Sequence, residues 1–289
     1  MFDPNNWFQA FFVIPILNVL MGFYSLLTTL HILFPLGFSL ILLTVAIRLI
    51  LNPLTASQIK STQKLAKLKP ELDKLNQQYK DDKQRLHQEQ LRLYQQAGIN
   101  PAAGCLPLII QMPILIALYN LFFQLLTNGN MTKVISEVNK VVYFPFLKIN
   151  SFDLNFFGLN LSDKPSDWQS RGWWLLLVPV ITALLQYWQT KMMTPGIQKS
   201  EVSIPASAEA TSGKQKSGKG EKEEKKGEDM GQTMQKQMAI MMPLMIGFFA
   251  YSFQLGLSLY WNTFTLFGII QQYKLAQAEK IHEEKNSKN

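Results

Sequence analysis

The chain has 289 residues, a formal net charge of +8, a mean hydropathy of +0.03 and one cysteine. That lone Cys105 excludes an intrachain disulfide and any metal site built from several cysteines. The near-zero hydropathy hides a segregation of apolar runs of membrane length from polar stretches, which excludes a set of ordinary soluble cores and indicates an all-α polytopic membrane protein. The positive charge then reports orientation and contact with anionic headgroups before nucleic acid, and no sequence-specific nucleic-acid binding is expected.

Residues 1–31 open with the apolar run WFQAFFVIPILNVLMGFYSLLTTL at 7–30, interrupted by Pro15 and carrying Gln9 and Asn18. No Lys or Arg precedes Arg48, so the short N-terminus belongs outside. If the next helix runs outside to inside, residues 7–30 do not span. An interfacial helix in the outer leaflet is the preferred reading, with a span as the alternative. The basic n-region of a cleaved signal peptide is missing.

Residues 32–57 form the first span. Its apolar run ILFPLGFSLILLTVAIRLILNPL carries Arg48 in the inner half, where an arginine costs about 2.5–3.5 kcal/mol on insertion scales. No Asp or Glu lies in the apolar segments to pair with it. Either a polar cavity holds it, or it snorkels past Leu49, Ile50 and Leu51 to the headgroups.

Residues 58–100 are expected to form a cytoplasmic helical hairpin. Lys60, Lys64, Lys67, Lys74, Arg85 and Arg92 belong to a basic excess of nine Lys/Arg over five Asp/Glu between 60 and 99. Leu65, Leu68, Leu72, Leu75 and Tyr79 make an apolar seam, Leu86, Leu93 and Ala97 a weaker one, and the turn falls near Lys80–Lys83. The hairpin is a solvated connection, or a docking arm for a partner or for anionic lipid.

A second span, 105–127, carries Pro107, Pro113 and the polar Gln111. Residues 128–170 have balanced charge and many aromatics, as expected of an extracytoplasmic loop lying on the interface. The third span, 171–193, starts with Trp173-Trp174 and aligns Thr182, Gln186 and Gln189 on one face. That stripe lines a wet groove or glues helices together. A Lys/Glu/Gly/Ser-rich stretch, 194–237, reads as a disordered cytoplasmic linker. Residues 238–273 hold the fourth and fifth spans, joined by a short connection at 254–258, and 274–289 form a charged cytoplasmic tail. Six of the twelve methionines lie within 230–245, as core filler or as a surface that accepts varied apolar partners.

No H-E-x-x-H, G-x-S-x-G or phosphate-loop motif occurs, and no mid-span Asp, Glu or His supplies a proton relay. An enzyme is not expected, and no cofactor or metal is implied.

Four runs, AIRLILNPLT (46–55), KLKPELDKLNQQYKDD (67–82), LYQQAGINPAAGCLPLIIQMPILIALYNLF (93–122) and MPLMIGFFAYSFQLGLSLYWNTFTLFGIIQQY (242–273), resemble the YidC/Oxa/Alb family of membrane protein insertases. The resemblance implies five transmembrane helices around a polar groove, an outer interfacial helix, a cytoplasmic hairpin, an outside N-terminus and an inside C-terminus. The implied location is a bacterial plasma membrane, before an organellar inner membrane. The family's intramembrane arginine corresponds to Arg48, its polar third-span position to Gln186 or Gln189, and its fifth-span aromatic to Trp261 beside Tyr260. Nascent membrane proteins are the implied partners, with the secretory translocon, the signal recognition particle pathway, the ribosome and anionic lipids as further candidates. The large extracytoplasmic domain, the lipoprotein signal and the strongly basic tail of some members are not seen here. The residues alone also admit an anion channel or facilitator, with Arg48 as its selectivity charge, and an assembly scaffold.

Overall fold

The structure is a computed structural model that describes residues 2–98, 106–126, 131–193 and 230–286. The expectations for Cys105, for a break at Asn100-Pro101 and for the linker up to residue 229 fall outside the described residues.

The architecture is helical apart from one small ribbon. A π-helical turn at Gln9–Val13 runs without a break into α1, Ile14–Thr29, and Pro15, which has no N–H to donate back, stands just after that wider turn. Helix α2 spans Pro35–Ile50 and α3 spans Asn52–Lys67. The two bend by 65° at Leu51. Pro53 explains the bend, because it cannot donate to the carbonyl of Leu49 and so ends the ladder of α2. The expected single span at 32–57 is therefore an elbow. Helices α4, Lys69–Gln78, and α5, Lys83–Gln96, pack on each other, and Gln90 donates to Asn76 at 2.9 Å. Asp82 caps α5 by accepting from the Arg85 backbone N–H at 2.9 Å. The leucines of the seam are only half-buried.

Helix α6, Leu106–Leu126, contains Pro113, and α7, Met131–Val141, buries Val134 and Val138. The loop that follows is more ordered than its balanced composition suggested. It holds a ribbon of β1, Asn155–Phe156, and β2, Leu159–Asn160, with Phe156 opposite Leu159. Phe157 and Gly158 turn the ribbon with φ of 49° and 82°, the pair of positive values a two-residue hairpin needs. A short α8, Trp168–Arg171, precedes α9, Leu177–Met193, then α10, Met230–Ser252, and α11, Leu255–Asn286.

Two departures from expectation concern α11. It begins at Leu255, not 259, because its first free N–H groups are met from the ribbon segment: Leu255 donates to the Asp163 carbonyl and Gly256 to the Leu161 carbonyl, both at 2.9 Å. It also runs beyond 273 to Asn286.

Helices pack in the order α10 on α9, α9 on α11, α11 on α2 and α2 on α1. The apolar core lies at the ribbon end, where Leu17, Leu20 and Met21 of α1 meet Leu36, Leu40 and Leu43 of α2, Leu118 and Phe122 of α6, and Val134 and Val138 of α7. The polar Asn18 ties α1 to the loop, accepting from Tyr143 N at 2.6 Å and donating to the Val141 carbonyl at 3.2 Å. Gly37 lets α2 touch the ribbon, since a Cβ there would fall inside the Phe156 ring. Leu184, Trp188, Leu244 and Phe248 are exposed on the outer faces of α9 and α10.

By length and composition one helix among the described residues, Gln9–Thr29, suffices to cross a membrane. The bent pair Pro35–Ile50 with Asn52–Leu65 passes the same test only when taken together, and Gln111–Leu125 and Met241–Ser252 are shorter apolar helices.

Candidate functional site

Helix α11 gathers the polar side chains of its neighbours. Starting at the ribbon end, Gln111 of α6 donates to the Tyr260 hydroxyl at 2.7 Å. One residue on, Trp261 Nε1 donates to Gln186 of α9 at 3.2 Å. A turn later, Arg48 of α2 donates from Nη2 to the Phe264 carbonyl at 2.6 Å, and its guanidinium lies 3.4 Å from the centroid of the Phe264 ring. Beyond Gly268, Gln271 donates to Asn52, at the start of α3, at 2.6 Å. The stations at 260, 261, 264, 268 and 271 recur at helical spacing, so one side of α11 binds α6, α9, α2 and α3 in turn.

Arg48 neither snorkels nor stands in an open cavity. It is 5% exposed, and no carboxylate pairs with it among the described residues. A planar, weakly hydrated guanidinium tolerates this by stacking on a ring and bonding a carbonyl. The compensation is incomplete, because Arg48 Nε has no hydrogen-bond partner. Asn262 Oδ1, Thr265 Oγ1, Gln271 Oε1, Gln272 Oε1 and Ser258 Oγ, all on α11, are likewise buried without a partner. Buried polar atoms nearly always have partners, protein or water, so a run of orphans along one helix marks a seam suited to water or to another polar chain.

Each candidate residue has a definite place. Arg48, Gln186, Trp261, Tyr260 and Gln111 converge on α11. Thr182, 1% exposed, donates back to the Val178 carbonyl at 2.8 Å. Gln189 approaches Gly268 next to Arg48, so both glutamines of α9 face the seam. Lys60, Lys64, Lys67, Lys74, Arg85 and Arg92 are exposed on α3, α4 and α5, away from this cluster; Arg92 pairs with Glu89 at 2.9 Å. Phe264 and Gly268 were not anticipated from sequence. No sequence signal marks either position: the polar stripe Ser258, Asn262, Thr265, Gln272 of the fifth span lies on a neighbouring face of the helix.

A cavity of about 290 Å³ opens beside the seam, between α6, α9, α10 and α11. Met112, Met242, Met245, Ile246, Phe249 and Phe253 make it apolar; Thr182, Ser258 and Trp261 give it one polar edge. Arg48 is not among its lining residues. The site therefore has two parts: an apolar slot and, along the same helix, a buried cation. No group of three or more His, Cys, Asp or Glu able to hold a metal occurs among the described residues.

Residues 27–284 match the family model described as 60Kd inner membrane protein. Similar curated proteins, each named membrane protein insertase YidC, include those of Rickettsia felis, 29% identical over 242 residues, and Rickettsia conorii, 28% over 242 residues; each alignment covers 82% of this chain and 34% of the relative. The counterpart from Chlamydia trachomatis serovar D is 30% identical over 275 residues, 94% of this chain and 28% of the relative. The chain thus spans about a third of the length of the curated relatives it matches.

Proposed function

The chain belongs to the 60Kd inner membrane protein family, and on that premise we propose that it inserts nascent membrane proteins into a bacterial plasma membrane and shelters them while they fold. One observation carries the reading: a guanidinium buried on α2, with no carboxylate paired to it among the described residues, held to α11 among uncharged polar groups, beside an apolar slot. In this arrangement α2, α6, α9, α10 and α11 are the five spans, α1 lies in the outer interface, and α3 to α5 form the cytoplasmic hairpin. The N-terminus is outside and the C-terminus inside.

The cation attracts an acidic segment far more strongly in a low-dielectric setting than it would in water. The orphan polar atoms of α11 accept the water and backbone groups that such a segment brings, while its apolar neighbour enters the slot and passes to lipid. Apolar burial drives the transfer at roughly 25 cal/mol per Å². The membrane potential adds about 2.3 kcal/mol per negative charge per 100 mV. No nucleotide and no covalent step is required. The basic hairpin receives the substrate, its delivery machinery or anionic lipid.

The test is replacement of Arg48 by Ala and by Lys in vesicles, scored by insertion of a single-span substrate with an acidic tail. Loss with Ala and partial retention with Lys is expected; full activity of the Ala variant removes Arg48 from the mechanism. The buried unpaired cation also favours an anion facilitator, and the same vesicles decide. Arg48-dependent chloride flux without insertion supports the facilitator, whereas insertion without flux supports the insertase.

A further inference from the structure

We propose that Gly268 is a positioning residue: the space left by its absent side chain seats the Arg48 guanidinium and the Gln189 carboxamide side by side on α11, and this seating sets the preference for acidic over neutral segments. The inference rests on the insertase reading and deepens it. A Cβ built at Gly268 would lie 2.7 Å from Arg48 Nη2 and inside contact distance of Gln189 Nε2. The two groups come from different helices, α2 and α9, and reach the same point on a third.

The backbone does not call for glycine here. Gly268 lies in the interior of α11 with no positive φ, where glycine costs about as much relative to alanine as any ordinary residue can. Gly22 has open space, Gly37 meets the Phe156 ring, and Gly247 meets the Ala183 Cβ at 2.9 Å, a close approach of two helices. At Gly268, unlike these three, two polar side chains fill the room. Both present N–H groups, and such a pair of donors is what a carboxylate accepts. With a methyl group at 268, one of them must leave: the guanidinium slides off the Phe264 ring, or the carboxamide turns away.

The experiment uses the full chain in vesicles and two single-span substrates that differ only in the tail, one with Asp and Glu, the other with Asn and Gln at the same places. Gly268→Ala should lower insertion of the acidic substrate about tenfold, the scale of one lost charge-assisted contact, while changing the neutral one less than twofold. Gln189→Ala alone should lower the acidic preference as Gly268→Ala does, and combining the two should add little further loss, because each breaks the same pair. Equal loss for both substrates, or no loss for either, overturns the proposal, as does a double variant whose loss is the sum of the two single losses. Melting of the detergent-solubilised Gly268→Ala variant at the wild-type temperature excludes simple misfolding as the cause of a selective loss. If the wild type inserts neither substrate, the insertase reading fails first; if Arg48→Ala inserts both at the wild-type rate, Arg48 leaves the mechanism and the proposal for Gly268 falls with it; if Arg48→Ala fails and Gly268→Ala does not, only the role of Gly268 falls.

Discussion

Replacing Phe264 by Leu separates two contacts that one residue makes with Arg48. The carbonyl of residue 264 remains to accept from Nη2, whereas the ring beneath the guanidinium, 3.4 Å away at its centroid, is lost. A cation over a ring is worth about 0.5–1 kcal/mol when exposed and about 2 or more when desolvated. Arg48 is 5% exposed, so the larger figure applies. Phe267, with its ring centroid 6.0 Å from the guanidinium, stands at the outer limit of such contacts and replaces little of it. The single variant also loses packing, so the cycle of Phe264→Leu, Arg48→Met and the double variant isolates the pair. Unfolding by denaturant in mixed micelles should give a coupling of about 2 kcal/mol. A coupling within about 0.4 kcal/mol of zero, the usual scatter of independent sites, would refute the stack as what holds the buried cation.

Gly37→Ala should destabilise the fold by about 1–3 kcal/mol, since the new methyl group must displace the Phe156 ring, itself packed on Phe34 and Phe38; a denaturant midpoint equal to the wild type would show that the ribbon yields freely. Asp163 predicts a pH dependence. Burial raises its carboxyl above the ordinary carboxylate range, only partly opposed by Arg171 at 3.7 Å. The folded state therefore holds the proton more tightly than the unfolded chain, so this group's stabilisation is full at low pH and is lost as pH rises through the folded value. The stability of the wild type relative to Asp163→Asn should accordingly fall as pH rises through and above the ordinary aspartate range, and a constant difference would count against a desolvated carboxyl.

The sequence announces those parts of the site whose residue types are costly in a membrane. Arg48, Gln111, Gln186 and Gln189 stand out in apolar runs, and the structure carries each of them to α11. It cannot announce Phe264, because an apolar residue in an apolar helix bears no mark of the carbonyl and ring it offers. Gly268 is equally silent, since its use is space that exists only once α2 and α9 have docked. The elbow at Leu51 is hidden because apolar residues continue through Leu54, although Pro53 holds the clue. The ribbon at 155–160 escapes notice for another reason. Balanced charge and scattered aromatics suit an interfacial loop as well as a folded cap, and its fit on Gly37 and on the first turn of α11 is a tertiary fact. The residues alone leave Arg48 to a polar cavity or to the headgroups; its stacking on Phe264 and its bond to the 264 carbonyl are tertiary contacts that an apolar run does not display.

A photo-crosslinking residue placed in turn at 186, 261 and 184 tests the central claim most directly. Gln186 and Trp261 bond each other at the seam, whereas Leu184 faces outward on the same helix as Gln186. With a stalled nascent chain carrying an acidic tail before its apolar segment, the tail should crosslink from 186 and 261 and not from 184. Crosslinks from 184 alone, or from none of the three while insertion proceeds, would contradict passage along α11.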